Sequence, residues 1–139
     1  ALARSTTLKV LDLSFQPIGD AEVEMIADAV RSNPNSALQE LYFGDNNIGD
    51  EGVKYLAEAL CHSNCKLQEL DLGGSDIGDD GSKYLAEALC HSNCKLLKLD
   101  LYVNNIGVAG AEAFANMLRY DNRTLKKRLY VILTASCRS

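Results

Sequence analysis

The stretch KYLAEALCHSNCKL occupies residues 54–67 and returns unchanged at residues 83–96. A catalytic loop is rarely needed twice, whereas a structural unit that stacks on a copy of itself must recur. The repetition extends past the identical stretch. LKVLDLSFQPIG begins at Leu8, LQELYFGDNNIG at Leu38, LQELDLGGSDIG at Leu67 and LLKLDLYVNNIG at Leu96. The intervals are 30, 29 and 29 residues, and the extra residue falls in SNPNSAL, where Pro34 marks a loop able to absorb it. A decayed terminal unit over 125–139 is expected from Leu125, although LKKRLYVIL puts Arg128 at a leucine position. Residues 1–139 then read as one domain.

Each unit changes hydrophobic period halfway. Leu70 and Leu72 alternate with Glu69, Asp71 and Gly73, the pattern of a short strand with one buried face. Val53, Leu56, Ala57 and Leu60 then follow the helical spacing. Helices are expected near residues 20–31, 50–61, 79–90 and 109–120. Asp50 and Asp79 stand where an N-cap is wanted, and Gly49, Gly78 and Gly107 let the chain turn between the halves. One strand and one helix bury little alone. Stacked copies complete a core, align the strands in parallel and set the helices outside. Because helices are wider than the strand spacing, the stack curves with its strands on the concave side.

The pattern LxxLxLxxNxIG at a period of 29 resembles leucine-rich repeats of the long ribonuclease-inhibitor type. IGDEGVKYLAEAL followed by CHSNCKLQELDL is similar to the repeats at the C-terminal end of NOD-like receptors. The resemblance implies an α/β right-handed solenoid, a horseshoe arc with a concave parallel sheet and convex helices. It also implies an asparagine ladder at Asn46 and Asn104, bonding backbone left unpaired at the strand ends. Gln16 and Ser75 hold that place in the other units; Gln partly substitutes, and Ser reaches less far. In function it implies a non-enzymatic protein–protein interaction module, such as the ligand-sensing or autoinhibitory repeats of a NOD-like receptor. An alternative is a regulator of an enzyme, resembling the Ran GTPase-activating protein or ribonuclease inhibitor. Four repeats make too short an arc to wrap a whole globular partner.

Chemical sites fare poorly against this framework. Cys61, His62 and Cys65, repeated as Cys90, His91 and Cys94, suggest zinc, yet structural zinc sites use tighter Cys-x-x-Cys knuckles. Buried thiols, reduced and stacked in the core, are the better expectation, with Cys137 exposed in the tail. His62 is adjacent to Cys61 and points elsewhere on the helix, so the two make no nucleophilic pair. GDNNIGDEG and GGSDIGDDG lack the oxygen spacing of an EF-hand loop. No P-loop is present, and the sequence calls for no metal and no cofactor.

Charge narrows the partner. The net charge is −5, but residues 119–139 carry six bases against one acid, leaving a net of −10 for residues 1–118. Such an acidic body opposes nucleic-acid binding. No apolar run is long enough to span a membrane. By strand alternation the concave face presents Asp12, Glu40, Tyr42, Glu69, Asp71, Lys98, Asp100 and Tyr102. Acids around exposed tyrosines suit a protein partner with a basic surface. Cysteine usage fits the cytoplasm, and the sequon at Asn122 matters only on export. The missing initiator Met fits a segment of a longer chain. The apolar LYVIL near the C-terminus is an edge-strand sequence, so end-to-end self-association is expected unless a neighbour covers it.

Overall fold

The structure is a computed structural model that describes residues 5–120 and 130–132. Strands and helices alternate along the chain. β1 (Val10–Asp12), β2 (Glu40–Tyr42), β3 (Glu69–Asp71) and β4 (Lys98–Asp100) each precede a helix. Those helices are α1 (Asp20–Ser32), α2 (Asp50–Leu60), α3 (Asp79–Leu89) and α4 (Val108–Tyr120), each within one residue of its expected bounds. A fifth strand, β5 (Tyr130–Ile132), follows. The strands pair in parallel in chain order, with Leu11, Leu41, Leu70, Leu99 and Val131 in register. The α/β solenoid expected from the periodicity is therefore present, with its core between sheet and helices. Leu41, Leu70 and Leu99 are at most 2% exposed, and Val53, Leu56, Leu85 and Leu89 meet them from the helices.

The last strand departs from expectation. A unit beginning at Leu125 would place Arg128 opposite Leu99, but Val131 stands there, 32 residues on. Leu41, Leu70 and Leu99 of this row are buried, and a valine suits such a row where an arginine does not. The remainder of 125–139, including Cys137, lies outside the described residues.

The aspartates at the helix starts do something other than cap their own helices. Gly49 and Gly78 are the N-caps, and Asp50 and Asp79 are the first helical residues. One Asp20 oxygen accepts the Gly49 N–H of the next repeat at 2.9 Å. Asp50 accepts from Gly78 (2.8 Å) and Gly81 (3.0 Å), and Asp79 from Gly107 (2.8 Å) and Gly110 (2.9 Å). Each carboxylate thus serves the helix N-terminus one repeat on, where unpaired N–H groups and the helix dipole favour an anion. Gly49 (φ −103°) and Gly78 (φ −108°) have extended backbone that any residue adopts, so turning freedom is not their role. In α1 no earlier repeat is described. There Glu22, at the place of Gly52 and Gly81, accepts the Gly19 N–H at 3.2 Å.

The identical fourteen residues tie repeats together at the opposite edge. His62 Nδ1 accepts the Asn64 N–H, and His91 Nδ1 the Asn93 N–H, both at 3.1 Å. Asn64 Nδ2 donates to the Arg31 carbonyl of the preceding helix end, and Asn93 Nδ2 to that of Cys61. Lys66 Nζ reaches the carbonyls of Pro34 and Ser36, and Lys95 Nζ that of Cys65. These side chains satisfy carbonyls that helices leave open at their C-termini and in the following loop.

The asparagine ladder is incomplete. Asn46, 6% exposed, donates to the carbonyls of Leu13 and Phe43 and accepts from the Ile18 N–H. Asn104 treats Leu72, Leu101 and Ile77 in the same way. Gln16 is exposed and does not take the buried rung expected of it. Ser75 is too short, and its Oγ is buried with no hydrogen-bond partner.

Candidate functional site

Seven of the eight residues read from strand alternation fall in two rows set by the parallel register, and the eighth, Tyr102, lies just beyond β4. Glu40, Glu69 and Lys98 share one row, and Asp12, Tyr42, Asp71 and Asp100 the other. Neighbouring strands lie about 4.8 Å apart, so like charges in one row stand close together. Tyr42 relieves part of this. Its hydroxyl donates to Glu40 Oε1 at 2.5 Å and lies 3.0 Å from Glu69 Oε2. Hydrogen bonding to Glu40 holds the phenol far above its ordinary range, and burial and Glu69 push the same way.

Asp71 is the most constrained acid of the face. Burial pushes its carboxyl above the ordinary value, and the negative charges of Asp100 and Asp45 add to this. The Gly73 N–H, donated at 2.8 Å, and the charge of Lys98 oppose the rise. Asp12, at the exposed start of the row, is lowered instead by hydrogen bonds from Ser14. Tyr42, Glu69, Leu70, Asp71, Lys98 and Asp100 surround a hollow of about 40 Å³. That is room for one small group. Asp12, Glu40 and Tyr102 stand outside it; Tyr102 is 54% exposed just beyond β4.

Alternation stops at the turn after each strand, and one feature there was missed. Phe15, Asp45, Gly74 and Val103 are equivalent residues and all have positive φ, between 54° and 66°. A left-handed residue suits Gly and Asp, and costs more for an aromatic or β-branched side chain. Phe15 is nevertheless there and 79% exposed, at the rim of the acidic face. An aromatic at a position that holds Asp or Gly in the middle repeats was the signal for it.

The cysteines lie at the other edge. Cys65 and Cys94 are buried, and Cys61 and Cys90 are half-buried against the same core, in keeping with the expectation of mostly buried thiols. None of the four is in a disulfide. Desolvation pushes the Cys61 and Cys65 thiols up, the direction opposite to an activated nucleophile. Among the described residues no cluster of three or more His, Cys, Asp or Glu could hold a metal, and no helix is long and apolar enough to cross a membrane.

Comparison with known proteins agrees with this architecture. The leucine-rich repeat family pattern matches residues 4–27, 35–57, 63–86 and 92–115. The chain is 33% identical to the "NACHT, LRR and PYD domains-containing protein 9C" of Mus musculus, over 47% of its own length and 9% of that relative's. It therefore spans a small part of that protein. Among solved structures, "Leiomodin-1 Actin-Binding Site 2 (ABS2)" superposes with a TM-score of 0.63 at 18% identity, covering 86% of this chain and 67% of that one. At that identity the likeness concerns the fold.

Proposed function

Because the chain belongs to the leucine-rich repeat family and is a protein-interaction module, we propose that its acidic concave face binds a protein partner through a basic surface. The observation carrying this reading is the register of Asp71 with Asp100 on the adjacent strand, two acids side by side that Lys98 only partly offsets and that a partner's Lys or Arg would relieve. Tyr102 and Phe15 supply exposed aromatic area beside the acids. The likeness to the mouse NACHT protein supports a place among the repeats of a NOD-like receptor; a sensing or autoinhibitory role and a cytoplasmic location belong to the same proposal. The leiomodin segment shows that a similar fold is named for an actin-binding site. A non-enzymatic role accords with the Cys61 and Cys65 thiols, which burial makes less reactive. End-to-end self-association is part of the same proposal: β1 is an edge strand among the described residues, and Leu8 before it and Val10 within it are exposed.

The test is affinity capture with the intact chain and with an Asp71→Lys, Asp100→Lys double variant, followed by measured affinity for the captured protein. Loss of binding in the variant, with wild-type binding that weakens as salt rises, supports the reading. A partner held equally well by the variant overturns it.

A further inference from the structure

The convex side carries an open seat that the repeat itself explains. Lys83, Ala86 and Glu87 of α3 and its C-cap Cys90 reproduce, at the same spacing, Lys54, Ala57 and Glu58 of α2 and its C-cap Cys61. The α2 surface receives a ring. Tyr84 of α3 packs half-buried against the core, and Lys54 Nζ lies 5.9 Å from its centroid, within cation–π range. One interface earlier, Tyr55 of α2 packs in the same way beside Glu24, whose charge and hydrogen bonding raise its phenol. One interface later the equivalent residue is Ala113. There, between α3 and α4, the helices leave a groove of about 700 Å³, lined by the same four residues of α3 and its C-cap and by Ala109, Ala113 and Met117 of α4, among others.

We propose that this groove is a second binding site, which takes the side chain of an exposed tyrosine on a partner protein. Its α3 wall has the composition of the wall that already holds Tyr84. Lys83 is placed as Lys54 is, for a cation–π contact with the incoming ring. Met117 adds a polarizable sulfur, which favours an aromatic neighbour. Glu87 and Glu112 at the groove can accept the phenol O–H. A ring on a short peptide binds only weakly, since few contacts offset the freedom lost on association, and the surrounding surface of a partner adds to its affinity. The site lies on the helical face, opposite the acidic strands, and does not depend on what those strands bind.

Two probes test this on the intact chain by amide chemical-shift mapping: p-cresol, and the tripeptide Gly-Tyr-Gly with blocked ends. Saturable shifts from the tripeptide at residues 83–90 and 109–117 are expected. They should vanish in Ala113→Tyr, which refills the seat, and weaken several-fold in the exposed variant Lys83→Glu. The second variant keeps the test decisive should the first fail to fold. Absence of saturable shifts in the groove overturns the proposal. Binding of p-cresol with exclusion of the tripeptide would make the groove a small-molecule site, and overturns it too. Concentration-dependent dimerisation of the wild type that Ala113→Tyr abolishes would assign the groove to a second copy, against the proposal.

Discussion

One carboxylate oxygen of Asp50 accepts the backbone N–H of Gly81, a residue of the next repeat, at 3.0 Å. A Cβ built on Gly81 would lie 2.6 Å from that oxygen and 2.8 Å from Ile77 Cγ2. Glycine is therefore required there for close approach. Ala usually favours a helix by about 1 kcal/mol over Gly, yet Gly81→Ala should destabilise this chain by about 2 kcal/mol through crowding. Asp50→Ala should cost about 1–2 kcal/mol, the range for losing a helix cap. Urea unfolding of both variants measures these shifts, and a stabilised Gly81→Ala would contradict the inter-repeat contact.

The unpaired Ser75 Oγ defines a repairable rung. In a Ser75→Asn variant the new amide would face the Phe43 and Leu72 carbonyls and the Ile48 N–H, as Asn104 faces Leu72, Leu101 and Ile77. A gain of about 1 kcal/mol is expected from the buried hydrogen bonds. Thermal unfolding should show a higher Tm for Ser75→Asn and no gain for a Gln16→Asn control at the exposed equivalent.

Asp71 predicts a pH dependence whose sign is fixed by its surroundings. Its folded-state pKa lies above the ordinary carboxylate value, because burial and the neighbouring acids disfavour the charged form. The stability it contributes is present below the unfolded value of 3.8 and is lost as pH rises through the folded one. Asp71→Asn should keep the Gly73 N–H contact, raise stability at neutral pH and flatten the profile in that acidic window. Denaturant unfolding from pH 3 to pH 7 measures it. A variant less stable than wild type at pH 7 would show that the carboxylate is favoured.

The thiols should react in two classes. Cys61 and Cys90 are half-buried, and Cys65 and Cys94 are buried at 2% and 5% exposure. Desolvation raises Cys61 and Cys65, so alkylation at neutral pH is slow for both, and slower for the buried one. Mass spectrometry of time-quenched alkylation should resolve Cys61 ahead of Cys65, with denaturant removing the difference.

Much of this architecture was legible because the repeat reports each element four times. The change from period 2 at Glu69–Leu72 to helical spacing from Val53 and its equivalents placed strands and helices within a residue or two. Strand alternation also identified the acidic rows, since side chains on a strand must alternate. What stayed hidden depends on neighbours one repeat away. Asp50 looks like a cap for its own helix, and only stacking shows it serving Gly78 and Gly81. The fifth strand brings Val131 rather than Arg128 into the leucine row, a tertiary choice that the 29-residue spacing could not express. The α3–α4 groove was written in the sequence as Ala113 following Tyr55 and Tyr84, but a missing side chain carries no signal until its place is seen to be open.

The most direct measurement for the concave face is carbodiimide footprinting of the carboxylates, with and without the captured protein partner. Selective protection of Glu40, Glu69, Asp71 and Asp100 is expected, while Glu58 and Asp80 on the helices stay as reactive as in the isolated chain. Protection confined to the helical carboxylates, with Asp71 and Asp100 unchanged, would contradict it.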